Sequence, residues 1–99
     1  MEFEWDEGKR RRVIEERGVD MVYAALIFEG PVLTRIDDRA DYGEVRRISL
    51  GMVVNECFVV VHTDRAGVTR LITAWKGGRD EQAAYAGIAR GDPEDAGAG

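Results

Sequence analysis

Cysteine occurs once in the 99 residues, at Cys57, and histidine once, at His62. A single thiol rules out an internal disulfide and argues against a cysteine-based zinc site. No apolar run approaches the ~20 residues that a membrane helix needs. The opening Met1-Glu2-Phe3-Glu4-Trp5-Asp6 is acidic and lacks the apolar stretch of a signal peptide. A cytoplasmic protein with no membrane association is therefore expected. Also missing are a zinc-protease HExxH, a glycine-rich phosphate loop between strand and helix, a paired-carboxylate glycosidase pattern and an EF-hand loop. Asp37-Asp38 with Asp41 reads as a polar loop, so neither metal nor cofactor is expected. An excess of positive charge is lacking too. The net charge is −5, against a chain that coats nucleic acid by bulk electrostatics. Without residues 91–99, which hold three acids and no base, the net is −2, so a locally basic pocket remains possible.

What is present is a foldable chain. Hydrophobic residues make up 44% and charged residues 33%, as in a globular protein rather than a disordered one. One domain over residues 1–90 is expected. The Gly/Ala-rich acidic tail, 91–99, has too little apolar surface to order itself. Residues 1–5 could form a short strand. Asp6 can cap a helix from about Glu7 to Arg17, which Gly18 stops; Asp20 can cap a second, Met21 to Glu29, which Gly30-Pro31 ends. In the second helix Val22, Ala25, Leu26 and Phe28 read as a buried stripe. Strands are expected at about 32–37, 44–54, 57–64 and 68–75. Asn55-Glu56 and Arg65-Ala66-Gly67 are read as hairpin turns. Phe58–Val61 has no polar partner on either face, so that strand should be central. A last helix runs from Asp80 to about Arg90, with Ala84, Tyr85 and Ile88 for packing. The expected fold class is α+β: two N-terminal helices, a four-stranded antiparallel meander and one C-terminal helix, with the helices on one face.

Five segments, in order, resemble one family. They are Phe3-Glu4-Trp5-Asp6 with Lys9 and Gly18-Val19; Phe28-Glu29-Gly30-Pro31; Gly43-Glu44-Val45-Arg46-Arg47-Ile48-Ser49-Leu50-Gly51; Val59-Val60-Val61-His62-Thr63-Asp64-Arg65; and Arg70-Leu71-Ile72-Thr73-Ala74 with Lys76, Glu81 and Tyr85. Together they resemble the BrnT-type toxins from Phe3 to Tyr85. The resemblance implies a RelE/ParE-like fold and a type II toxin that cleaves RNA and inhibits translation. It also implies a BrnA-like antitoxin that neutralises the toxin and binds DNA, so that DNA is met only indirectly, and a 2:2 assembly through the antitoxin dimer. The chain departs from the family pattern twice. The first-helix string N-x-x-K-H-G reads Val13, Glu16, Arg17 and Gly18 here, and the S-A-R-[R/K]-A string reads Thr73-Ala74-Trp75-Lys76-Gly77.

Metal-free RNA cleavage needs a base for the ribose 2′-hydroxyl, an acid for the leaving oxygen and cations for the charge growing on phosphorus. His62 is the candidate acid or base; its other reading is a histidine packed at a strand end. Arg65, Arg70 and Lys76 are the further catalytic candidates, and Arg46, Trp75 and Lys9 the substrate-binding ones. Arginine suits phosphate through its planar fork, and aromatic rings hold unstacked bases. Arg46, Arg65, Arg70 and Lys76 are expected to converge in one hollow on the sheet, the alternative being ordinary ion pairs with Glu44, Asp64 and Asp80. Arg46 shares parity with Ile48, Leu50 and Met52, which puts it on an apolar face. Trp75 reads equally as core or interface, and Trp5 as core under the first helix. Glu81 and Tyr85 share a helix face, where Glu81 could orient a pocket cation. Lys9-Arg10-Arg11-Arg12 reads as a solvated helix or a secondary RNA contact. The rival function is a toxin-fold binding module that has lost catalysis but still pairs with the antitoxin and modulates operon repression.

Overall fold

Two aspartates start the N-terminal helices, as their places in the sequence predict. The computed structural model describes residues 1–89. Asp6 accepts the Gly8 N–H at 3.1 Å and opens α1 (Glu7–Arg17). Gly18 closes it with φ 67°, its N–H returning to Ile14 O at 2.9 Å. That left-handed conformation is one that glycine adopts without a Cβ clash. Asp20 accepts the Val22 N–H at 2.9 Å and opens α2 (Met21–Ala24). The coil then tightens into a 3₁₀ segment, Ala25–Glu29, so the expected second helix spans its predicted range in two geometries. Asp20 also takes a two-pronged grip from Arg10, Nε at 2.9 Å and Nη2 at 2.8 Å. The guanidinium holds the Asp20 carboxyl below the usual range and pins α1 to α2.

The sheet has five strands: β1 (Glu2–Glu4), β2 (Leu33–Ile36), β3 (Arg47–Val53), β4 (Glu56–Arg65) and β5 (Val68–Lys76), in the order β1-β5-β4-β3-β2. β2 to β5 form the expected antiparallel meander. The fifth strand corrects the expected four. β1 joins the edge in parallel with β5, Phe3 opposite Thr69. The short strand read at residues 1–5 is β1; what its few residues could not signal is the distant partner that adds it to the sheet. Two hairpin details also shift: the first turn sits at Val54-Asn55, with Val54 at φ 57°, and the loop before β3 extends to Arg46. β4 is central and buried from Cys57 to Thr63, as its unbroken apolar run implies.

The helices do not share one face. α1, α2 and the 3₁₀ segment cover one side of the sheet, where Met21, Ala24, Ile27, Phe58, Val60 and Ala74 form the larger core. The last helix, α3 (Arg79–Ala89), lies on the other, where Ala84 and Tyr85 pack by Leu50, Cys57 and Val59. Strands buried on both faces need a cover on each, which a short chain supplies by sending its last helix to the bare side. Gly51 lets β3 meet the 3₁₀ segment, since a Cβ there would lie 2.8 Å from Ile27 Cβ. Trp5, expected in the core, is 36% exposed and bonds Glu7 instead. In the second helix Met21, Ala24, Ala25 and Ile27 are the buried set, while Leu26 faces solvent at 41% exposure. No helix among the described residues is long and apolar enough to cross a membrane. The tail at 91–99 and the side chain of Ile88 lie outside the described residues.

Candidate functional site

An extra residue in β5 decides which cations share a face. Val61 pairs with Thr73 but His62 with Leu71, so Ile72 is a bulge. The bulge reverses the alternation along β5. Arg70 then pairs with Thr63, and Trp75 with Val59, both on the α3 side; Lys76 pairs with Phe58, on the α1 side. Arg70 and Lys76, six residues apart and of one parity in the sequence, end on opposite faces, separated by about 20 Å of strand.

The four cations expected to meet do not form one hollow. Arg46 and Arg65 come together on a single carboxylate, Glu44, at 3.5 and 2.8 Å. Arg46 also lies over the Tyr42 ring at 4.0 Å. Arg70 is 3.8 Å from Glu4, and Lys76 is 3.0 Å from Glu56 at the far end of the sheet. Lys9 is half-buried on α1, about 12 Å along that helix from Arg17. His62 is 5% exposed on the α1 side of β4. Ser49 Oγ lies 2.7 Å from its Nε2, and the Phe28 ring stands edge-on at 5.1 Å. Its Nδ1 has no hydrogen-bond partner among the described residues. Burial holds its pKa below the ordinary 6.5, with Arg47 adding to the effect and Asp64 opposing it.

A different set of side chains surrounds open space. On the α3 side a groove of about 430 Å³ runs over Leu33, Leu50 and Val59, walled by Arg35, Arg39, Trp75, Asp80 and Glu81. It continues into a shallower hollow between Arg17, Arg39 and Trp75. The Trp75 ring has the Arg17 guanidinium 5.3 Å from its centroid and that of Arg39 at 5.8 Å, within reach of cation–π attraction. Arg39 is held from behind. The buried Asp37 accepts its Nε at 2.7 Å and its Nη2 at 2.8 Å, leaving Nη1 uncommitted to that pair. The hydrogen-bonded guanidinium lowers the Asp37 pKa to about 2. Among the described residues Arg17 and Arg35 form no ion pair.

Of the charged and aromatic residues singled out in the sequence, Trp75, Asp80 and Glu81 line this groove. Arg17, Arg35 and Arg39 were not among the candidates. The only hint of Arg17 was its place as a departure from the resembled pattern, as was Trp75. The structure brings these two departures into contact. Where the resembled strings have histidine and arginine, the chain has arginine and tryptophan. An aromatic platform between guanidiniums can stack an unpaired base and grip the neighbouring phosphate. Arg35 and Arg39 can balance charge growing on phosphorus, and the carboxylates of Asp80 and Glu81 can accept a proton.

A family model described as "Ribonuclease toxin, BrnT, of type II toxin-antitoxin system" matches residues 5–81. No curated protein matches the chain.

Proposed function

We propose that this chain, which belongs to the BrnT family of ribonuclease toxins of type II toxin–antitoxin systems, cleaves single-stranded RNA in the groove beneath α3. The observation that carries this reading is the Trp75 ring with the Arg17 and Arg39 guanidiniums 5.3 and 5.8 Å from its centroid, in a groove shared with Arg35, which has no ion pair among the described residues. A base stacks on Trp75, and the adjacent phosphodiester lies against Arg35 and Arg39. Glu81, half-buried on the opposite wall, takes the proton of the 2′-hydroxyl. The 2′-oxygen bonds to phosphorus, the bond to the 5′-oxygen breaks, and that oxygen takes a proton from water. The products are a 2′,3′-cyclic phosphate and a 5′-hydroxyl end. The arginines supply the positive charge, so the reaction proceeds without metal. In the cell this cleavage inhibits translation in the cytoplasm, a BrnA-like antitoxin silences it, and DNA is met only through that antitoxin. The arrangement of sheet and helices fits a RelE/ParE-like fold in one domain.

The test is a labelled single-stranded RNA incubated with the full chain in EDTA, with and without ribosomes. Cyclic-phosphate ends are expected. Removing one group that stabilises transition-state charge costs roughly 10²–10³ in rate, so Arg35→Ala should fall in that range. Cleavage unchanged in a folded Arg35→Ala, Trp75→Ala double variant would remove the groove from consideration.

A second reading has its own observation. Arg46, Arg65, Arg70 and Lys76 each sit beside a carboxylate, and His62 is buried. These features suit a toxin-fold binding module that keeps the antitoxin and modulates repression without cutting RNA. Absence of cleavage under every condition above, with antitoxin binding intact, would favour it.

A further inference from the structure

Another hollow lies on the other side of the sheet. Between β1 and the 21–29 helical segment lies an apolar groove of about 680 Å³, lined by Phe3, Trp5, Val22, Leu26, Phe28 and Glu29 among others. Leu26 and Trp5 are 41% and 36% exposed, and the half-buried Phe3 and Phe28 rings meet at 5.7 Å. A contiguous apolar surface of this kind, rimmed by charge, marks a protein-binding face. The rim carries acid. Glu29 is in the lining, and Asp6 follows Trp5 in the chain. Neither has a basic partner among the described residues.

We propose that the antitoxin fastens to this chain by seating an amphipathic segment, apolar at its centre and flanked by Lys or Arg, in the groove between β1 and the 21–29 helical segment. The proposal rests on the family's need for a protein antitoxin, and not on where RNA is cut. The charge on the page selects the occupant. A second copy docked about a two-fold axis would bring the groove's acidic rim toward its equivalent. RNA would bring phosphates to the same carboxylates. A basic segment meets the rim with opposite charge and covers Leu26 and Trp5, the kind of central apolar anchors that carry most of an interface's affinity. The site lies across the sheet from Arg35 and Trp75, so fastening the antitoxin and covering the RNA groove are separate tasks.

The experiment uses the full chain and its cognate antitoxin, with affinity measured by calorimetry. Leu26→Asp should weaken binding by about 30-fold or more. Glu29→Lys should weaken it less and flatten its dependence on salt. Arg35→Ala, in the RNA groove, should bind the antitoxin within about twofold of wild type. Leu26→Asp should still cleave RNA at the wild-type rate, which also shows it folded. If Leu26→Asp and Glu29→Lys both bind as tightly as wild type, or if Arg35→Ala is the variant that fails, the groove is not the docking site. A wild-type chain that sediments as a dimer and is made monomeric by Leu26→Asp would assign the groove to a second copy and overturn the proposal. A chain that cuts no RNA yet needs Leu26 for the antitoxin would lose the nuclease reading and keep this one.

Discussion

The two faces of this sheet are built from alternate residues of the same strands, yet they are finished differently. On the α1 side Phe58 and Val60 meet Met21, Ala24 and Ile27, all but closed to solvent. On the α3 side Leu50 and Val59 meet a single helix, and the space left over is walled by arginines. The first face is densely packed at its centre, where each lost methylene is felt, and opens into its apolar groove at the β1 edge. The second gives up part of that packing to leave room beside Trp75 and Arg35. With RNA cut in the groove as proposed, stability and chemistry are divided between opposite sides of β4. A fold that places its tightest packing behind its groove can tolerate charge in the groove, because the sheet does not depend on that face alone.

The comparison breaks most visibly at Met21. This side chain is fully buried, and Met21→Ala should cost about 2–5 kcal/mol of unfolding free energy in urea titration. Leu33→Ala, a half-buried position in the groove wall, should cost less than half as much. Equal losses would mean that the two faces contribute alike. Gly51→Ala should cost about 1–3 kcal/mol, because its new methyl meets Ile27 and the strand and the 3₁₀ segment must part.

Acid should loosen the sealed face first. His62 is neutral in the fold because burial lowers its pKa below 6.5. The unfolded chain binds that proton near 6.5, so more protons are bound on unfolding as pH falls. The contribution is present above about 6.5 and is lost as pH falls through the folded value. His62→Gln should flatten the pH dependence of the melting temperature between pH 7 and the onset of carboxylate titration. An unchanged slope would mean that His62 titrates alike in the folded and unfolded chain. In contrast, the groove's own acid pair should survive this range. Asp37 is held near 2 by Arg39. Its contribution is present above the unfolded value near 4 and disappears only as pH drops through about 2.

The sealed face was the more legible of the two in the sequence. Asp6, Gly18 and Asp20 are local signals with local outcomes, and Phe58–Val61 announces a strand buried on both sides. The groove depends on longer-range events. The bulge at Ile72 reverses the parity of β5 and separates Arg70 from Lys76. Nothing in Arg70-Leu71-Ile72-Thr73 marks where an extra residue would fall, because all four suit a strand. The loop after β2 brings Arg39 to Trp75 through a buried aspartate that reads, in sequence, as one more polar loop residue. α3 could be seen as a helix, but its side of the sheet could not, since both faces of β4 are apolar.

A smaller effect tests the exchange at the groove's mouth. If Arg17 and Trp75 act as one cation–ring pair, a double-mutant cycle with Arg17→Ala and Trp75→Ala should give a coupling of about 0.5–1 kcal/mol in stability. Arg17→His with Trp75→Arg, the pairing of the resembled strings, should recover more RNA cleavage than Trp75→Arg alone, which sets three guanidiniums together. Independent effects of the two positions would reduce their meeting to coincidence.

The smallest expected change is at Lys76, and it discriminates between the two sets of cations most economically. Lys76 and Glu56 are both exposed, at 64% and 50% of their side chains. Such pairs contribute about 0.2–1 kcal/mol at most, less as salt rises. Lys76 also projects to the α1 side, across the sheet from Trp75. Lys76→Ala should therefore leave stability within about 0.5 kcal/mol and leave RNA cleavage within about threefold of wild type, a difference below 1 kcal/mol in barrier. Arg35→Ala, on the open face, should lose at least about a hundredfold. A reversal, with Lys76→Ala inactive and Arg35→Ala active, would move the chemistry to the β4–β5 end beside Glu56 and leave the groove under α3 without a catalytic task.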